Sequence, residues 1–309
     1  MDVAVVAAGL IVGFVVGLTG MGGGALMTPV LVLLFGITPL AAVSSDLVAA
    51  AVMKPVGSLV HMRRGTIHWG LVRWLALGSV PSAFTGVLVL RWLGHGADVQ
   101  KVVTTSLGIA LLLAAGGIVV KAYQAMVVRR RAELAGERPA QDSDPIDIVV
   151  RPVPTLLVGI VGGLVVGMTS VGSGSLMIVA LLALYPGLTA NRLVGTDLVQ
   201  AVPLVASAAL GHLLFGDFRL DLTGALLVGS IPGVWLGSQL SSRAPGWLIR
   251  RALAVVLVAS GLKLLGVPTV TLGIVLVVLL VVAPTVWALV RRRGGLPVLT
   301  ASARGEGSI

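Results

Sequence analysis

The chain has 309 residues, 57% of them hydrophobic and 11% charged, with a mean hydropathy of +1.05. That balance excludes a water-soluble domain and predicts an integral membrane protein, helical because its uncharged apolar runs are too long for strands. The net charge of +10 lies in short arginine clusters between apolar runs, without interleaved aromatics, so it reads as membrane topology and gives no nucleic-acid partner; the absence of cysteine excludes disulfides, thiolate metal sites and cysteine nucleophiles.

Met1-Asp2 leads straight into an apolar run with no basic segment before it, so the first helix is expected to be retained. Apolar helices are predicted over about residues 3–18, 25–36, 44–61, 69–92 and 101–123. The polar stretch KAYQAMVVRRRAELAGERPAQDSDP, 121–145, then reads as a solvent-exposed linker. The pattern restarts at 153–168, 175–185, 194–214, 221–241 and 247–266, and one more helix follows at 268–290. From Arg291 the chain is basic, then small and polar, and is expected to be disordered. The expected division is a first membrane repeat over 1–123, a cytoplasmic linker over 124–152, a second repeat over 153–266, an extra transmembrane helix over 267–290 and a basic tail over 291–309.

The two repeats share their most unusual stretch. GLTGMGGGALMTP at 17–29 returns as GMTSVGSGSLMIV at 167–179, with Gly17, Thr19, Gly22, Gly24, Leu26 and Met27 matched by Gly167, Thr169, Gly172, Gly174, Leu176 and Met177. Further on, with a shift of 151, Thr38 meets Thr189, Asp46-Leu47-Val48 meets Asp197-Leu198-Val199, and His61 meets His212. Gly65, Gly78, Ser79, Pro81 and Gly86 likewise meet Gly216, Gly229, Ser230, Pro232 and Gly237, so one unit occurs twice.

Charge decides the relative sense of the copies. If each glycine-loop pair of helices goes in and comes back, each copy crosses the membrane an odd number of times. With the C-terminus inside, nearly all the arginines then face the cytoplasm, and Arg91, Lys101, Arg219 and Lys263 lie outside. If each pair instead forms one broken crossing, the copies are parallel and the cations divide almost evenly. The positive-inside rule therefore predicts an all-α polytopic protein of two inverted-topology helical repeats with interrupted or re-entrant helices, plus one extra C-terminal helix. It is expected in the cytoplasmic (inner) cell membrane, multi-pass, N-terminus outside and C-terminus inside. Inverted repeats with interrupted helices are a transporter pattern. The helix after the first loop, 12 residues and about 18 Å long, is too short for a hydrocarbon core of about 30 Å, which favours re-entrant hairpins with glycine tips near the midplane.

Glycine runs break helices, and in lipid such a break exposes N–H groups that only a cavity or ligand can satisfy. A helix N-terminus attracts anions through those groups and its dipole. Gly20, Gly22, Gly23 and Gly24 in one loop and Gly172 and Gly174 in the other would present such ends, with hydroxyls from Thr19, Thr169, Ser170, Ser173 and Ser175. The implied partner is a small anionic substrate; the competing structural reading is close helix packing through small residues. Lys54, eight residues after Asp46, is the most membrane-buried cation and joins the substrate-binding candidates. Asp46 and Asp197 are candidates either for capping their helices or for coupling a proton or cation. His61 and His212, at opposite ends, are placed at the interface in preference to a proton relay. The six tryptophans, mostly near helix ends, read as interface anchors. No cofactor or metal is called for, because only four histidines exist and no His/carboxylate cluster stands out.

The paired loops, together with AVSSDL at 42–47, LVGTDL at 193–198, GSVP at 78–81 and GSIP at 229–232, resemble the sulfite exporter TauE/SafE family of membrane anion transporters over about residues 3–266. The resemblance implies transport of sulfite or related sulfur oxyanions and organosulfonates, usually outward across the cytoplasmic membrane. The second loop departs from it with Ser-Val-Gly-Ser-Gly in place of a full glycine triplet. Two rivals are a transporter or channel for a different small anion or metabolite, and an intramembrane serine hydrolase built on Ser173 and His212. The hydrolase has Val171 where a rhomboid-like motif carries glycine.

Overall fold

The computed structural model describes residues 2–19, 23–63, 65, 67–94, 96–135, 148–188, 190–240 and 246–278. Among them the chain is all helix, apart from an isolated bridge between Gly172 and Gly174. The helices are α1 (Val3–Thr19), α2 (Gly24–Phe35), α3 (Pro39–Arg63), α4 (Trp69–Trp92), α5 (Ala97–Ala135), α6 (Pro152–Thr169), α7 (Leu176–Leu184), α8 (Ala190–Phe215), α9 (Leu220–Leu240) and α10 (Gly246–Leu264). Residues Met1–Gly266 form one compact unit, and the residues from Val267 onward form a second, whose described part holds α11 (Thr269–Val278). Among the described residues, five helices are long and apolar enough to cross a membrane: α4, the first part of α5 to Val120, α6, α8 from Arg192, and α9.

Local chemistry sets most boundaries. His68 caps α4, its Nδ1 accepting from the N–H of Leu71 at 3.3 Å. Pro152 opens α6 at the position where a missing N–H costs nothing. Gly36 closes α2 in the left-handed region, φ 63°, its N–H bonded to Leu31 O. Two elements differ from expectation. Helix α3 starts at Pro39, well before the predicted 44, because proline is a good first residue and the N–H of Ala42 already bonds to Thr38 O. Helix α5 continues to Ala135, so the first part of the expected linker is helical; residues 136–147, 279–290 and the tail lie outside the described residues.

The sequence copies interlock. Helix α1, first in its copy, packs along α9, fourth in the other, and α6 packs along α4 in the same exchanged way. Helix α3 packs on α8, and α5 on α10. The two exchanged pairs are backbone-to-backbone contacts. Gly9, Gly13 and Gly17 of α1 face Gly229, Gly233 and Gly237 of α9, and Gly159, Gly163 and Gly167 of α6 face the Gly78, Ser82 and Gly86 stripe of α4. A Cβ on Gly237 would lie 2.1 Å from Phe14 O, and one on Gly167 would lie 2.2 Å from Ala83 O. In lipid this van der Waals contact replaces the missing hydrophobic drive between helices. Both pairs run parallel: Gly9 lies near Leu226 and Ser230, Gly17 near Val234 and Ser238. Helices α3 and α8 run antiparallel, since Ser44 near the start of α3 meets His212 near the end of α8, while His68, just beyond α3, meets Thr196 near the start of α8.

Each apolar core draws on both copies. One is built around Leu31, Leu107, Leu111, Leu226 and Leu257, the other around Leu47, Leu71, Leu75, Leu181 and Leu204. The polar cluster described next lies on α2, α3 and α8 and the loop between α6 and α7.

Candidate functional site

Helix α6 stops at Ser170, which adopts φ 60°, the only positive φ outside glycine among the described residues. The first copy has Gly20 at this position, the residue such a backbone favours. Serine here supplies a hydroxyl, and Ser170 Oγ donates to Asp46 Oδ2 at 2.5 Å. Gly172 and Gly174 follow with φ 137° and 96°, conformations open only to glycine at little cost. The carbonyl of Gly172 then accepts from Leu176 N at 3.0 Å and Met177 N at 3.2 Å, starting α7. Thr169 holds the turn from inside, donating to Val165 O at 2.6 Å and accepting from Val171 N at 3.2 Å.

The first loop meets the second. A Cβ on Gly24, the first residue of α2, would fall 2.1 Å from Ser170 O and 2.7 Å from Ser170 Oγ, so glycine is required for the contact. Neither Gly23, the N-cap of α2, nor Ser175, the N-cap of α7, makes a side-chain capping bond. Ser175 Oγ is buried without a hydrogen-bond partner among the described residues. The start of α2 thus meets the end of α6 at the second loop, and no side-chain acceptor caps α2 or α7. Gly23 itself has open space around its Cβ position, so the steric demand of the first loop falls on Gly24. Gly20, Gly22 and the side chains of Thr19 and His61 lie outside the described residues.

Asp46 and Asp197 lie well inside α3 and α8, beyond the first turn, and are almost wholly shielded, at 0% and 2% exposure. Asp46 therefore does not cap its helix. Its Oδ2 accepts from Ser170 and, at 3.1 Å, from Thr28 Oγ1 of α2; its Oδ1 is buried with no hydrogen-bond partner among the described residues. Asp197 Oδ1 accepts from Gln200 Nε2 at 3.4 Å, and Gln200 Oε1 accepts from Ser79 Oγ of α4 at 3.3 Å. Lys54 Nζ donates to Ser173 Oγ of the second loop and feels the charge of both Asp197 and Asp46. One cation thus acts on two carboxylates and holds a loop hydroxyl.

His212 departs from the interfacial placement expected for it. It is fully buried, its Nε2 donating to Gly167 O at 2.8 Å and its Nδ1 facing Ser44 Oγ at 2.8 Å. A carbonyl only accepts, so the proton on Nε2 is fixed by chemistry. The ring joins the end of α8 to α3 and to α6 just before the second loop. Ser173 bonds to Lys54 and His212 to Ser44 and Gly167, so these contacts do not pair the serine with the histidine.

Sequence reasoning missed Thr28 and Gln200. A signal existed for both: each is polar where the other copy is apolar, Thr28 against Ile178 and Gln200 against Ala49. Lys54 against Val205 shows the same asymmetry.

Apolar helices long enough to span a bilayer, interlocked through glycine faces around enclosed charges, define a multi-pass membrane transporter. The chain belongs to the sulfite exporter TauE/SafE family, whose family model matches residues 5–264. It is similar to the probable membrane transporter protein YjnA of Bacillus subtilis (strain 168), 38% identical over 267 residues that cover 86% of this chain and all of the relative. It is also similar to the probable membrane transporter protein YdhB of the same organism, 23% identical across 82% of this chain and 96% of the relative. A probable membrane transporter protein of Xylella fastidiosa (strain Temecula1 / ATCC 700964) is 26% identical across 83% of this chain and 92% of the relative. No solved structure matches the chain.

Proposed function

We propose that this protein carries a small oxyanion, sulfite or a related sulfur oxyanion or organosulfonate, outward across the cytoplasmic membrane by alternating access. The anion is held between the two glycine loops by N–H groups of the first turn of α2, by the hydroxyls of Ser170, Ser173 and Ser175, and by Lys54. The observation that carries this reading is the contact of Gly24 with Ser170, which brings the start of α2 against the second loop, where Lys54 bonds Ser173, in a lipid-soluble fold.

The exchanged packing supports the alternating-access part. Antiparallel α3 and α8, with each copy's first helix on the other copy's fourth, are what two inverted copies related by a pseudo-two-fold would give. At about 18 Å and 14 Å, α2 and α7 are too short to span alone, in keeping with re-entrant hairpins. The orientation follows the cation distribution, N-terminus outside and C-terminus inside.

The test is thermal stability of the purified protein in detergent with sulfite, thiosulfate, sulfate, sulfoacetate, taurine, acetate and chloride at matched ionic strength. Selective binding to the folded state at a hundredfold excess over Kd stabilises by about 2.7 kcal/mol. A shift with sulfur oxyanions, lost in Gly24→Leu, supports the reading. Equal shifts with all anions, or none, refute it.

A further inference from the structure

We propose that the Asp46 carboxylate is an internal occupant of the anion site, and that an anion from solution binds there only as Asp46 takes up a proton. This rests on the anion reading above and names the group that controls it.

The donors are already in use. Ser170 Oγ, which touches the start of α2 at Gly24, and Thr28 Oγ1, one turn into α2, both donate to Asp46 Oδ2. The carboxylate therefore lies beside the N-terminal turn of α2, where the helix dipole favours one negative charge. A second anion arriving there would meet both occupied hydroxyls and a like charge in a low-dielectric site. The remaining oxygen, Oδ1, is fully shielded and has no hydrogen-bond partner among the described residues, an arrangement that natural structures rarely leave without purpose. It is the free position for a proton, since Oδ2 already accepts twice. Once Asp46 is neutral, Oδ2 holds the hydroxyls more weakly, the repulsion disappears, and Ser170 and Thr28 can turn to the substrate.

Both halves carry the aspartate, but the sequence carries the two hydroxyl donors in one half only: Ser170 of the second copy corresponds to Gly20 of the first, and Thr28 of the first to Ile178 of the second. Asp197 accepts from Gln200, which is tied to α4 through Ser79. Among the described residues, Lys54 on its own helix acts on the Asp46 charge; on α8, Asp197 acts on Lys54, and His212 is bonded to Ser44 and Gly167. The inference therefore assigns the proton to Asp46 and a fixed ionic role to Asp197 beside Lys54.

The experiment uses the full-length protein in detergent, with thiosulfate as the probe because its charge is constant through the neutral range. The thermal shift gives its affinity from acidic to alkaline buffer. The wild type should bind more tightly as pH falls, by up to about tenfold per pH unit, the limit for one linked proton. Asp46→Asn should bind with little pH dependence, near the wild type's acidic value, and Asp197→Asn should keep the wild-type slope. Ser170→Gly relieves a left-handed serine and installs the other copy's residue, so it tests the donor without threatening the fold; it should lose about tenfold in affinity in acid, where Ser170 serves the anion. Asp46→Asn with the wild-type slope, or Asp197→Asn with a flat profile, overturns the assignment while leaving the anion site standing. Abolished binding in Asp46→Asn overturns it as well, making the carboxylate a ligand of a bridging cation. If thiosulfate shifts none of the proteins at any pH, the anion reading and this inference fall together.

Discussion

At the scale of single residues, the site rests on a few positions without slack. Gly24→Ala would drive a methyl group into the Ser170 backbone and should cost about 2 kcal/mol together with transport, whereas Gly23→Ala meets open space and should stay near wild type; thermal unfolding and uptake into proteoliposomes would separate them. Lys54→Met takes away the cation that acts on two buried carboxylates, and should destabilise by about 3–5 kcal/mol. Adding Asp197→Asn should restore a good part of that loss, and a double-mutant cycle of unfolding free energies reads the coupling directly. Additive costs in the cycle would mean that Lys54 and Asp197 do not interact. Much of this site was legible in the chain, since the duplicated loops, both aspartates and Lys54 all stand out against an apolar background. What pattern could not supply was partnership. Nothing local shows that Ser170 of one copy bonds Asp46 of the other, and His212 looked interfacial because its distance from a helix end says nothing about what α3 and α6 place around it.

At the scale of elements, the glycine faces set how closely the helices approach. Gly13 and Gly233 on the α1/α9 pair, and Gly163 on the α4/α6 pair, leave no room for a Cβ; alanine at any of them should lower thermal stability, by about 1–3 kcal/mol each. Gly116 of α5 has nothing near its Cβ position, so Gly116→Ala should instead stabilise, by up to about 1 kcal/mol, through helix propensity alone. The same scan of unfolding temperatures covers both predictions, and a destabilised Gly116→Ala would point to a neighbour beyond the described residues. The helices themselves were readable from apolar runs to within a few residues in most cases. The exceptions have physical causes: α3 gains about one and a half turns from a proline start, and α5 runs on through KAYQAMVVRRRAELA because alanine, arginine, glutamate and leucine are strong helix formers whether lipid or water surrounds them. The four-residue spacing of Gly9, Gly13 and Gly17 and of Gly229, Gly233 and Gly237 was also in plain view. It could have announced close packing, though not which face meets which.

At the scale of the whole molecule, the antiparallel α3 and α8 group the chain's turns at two ends. Thr38 Oγ1 donates to Asp217 Oδ2 at 3.4 Å at one end, and Arg63 and Arg192 belong to the other, close to the His68–Thr196 contact. The natural chain has no cysteine, so single cysteines report topology without background. Cysteine at Thr38 or Asp217 should react with a membrane-impermeant thiol reagent in intact cells, and cysteine at Arg63 or Arg192 only after permeabilisation. Labelling in the reverse order would invert the proposed orientation, and labelling of all four from one side would contradict the topology. The exchange of partners between the halves also governs how the protein can be made. Helix α1 leaves the ribosome with its glycine face bare, and the surface it fits, α9, is more than 200 residues away. At about 10 residues per second the nascent first half waits on the order of twenty seconds in the bilayer before its partner exists. A chain that stops in the linker should therefore be a substrate for membrane proteases, while two separately synthesised halves should still find each other, because each holds the missing face of the other.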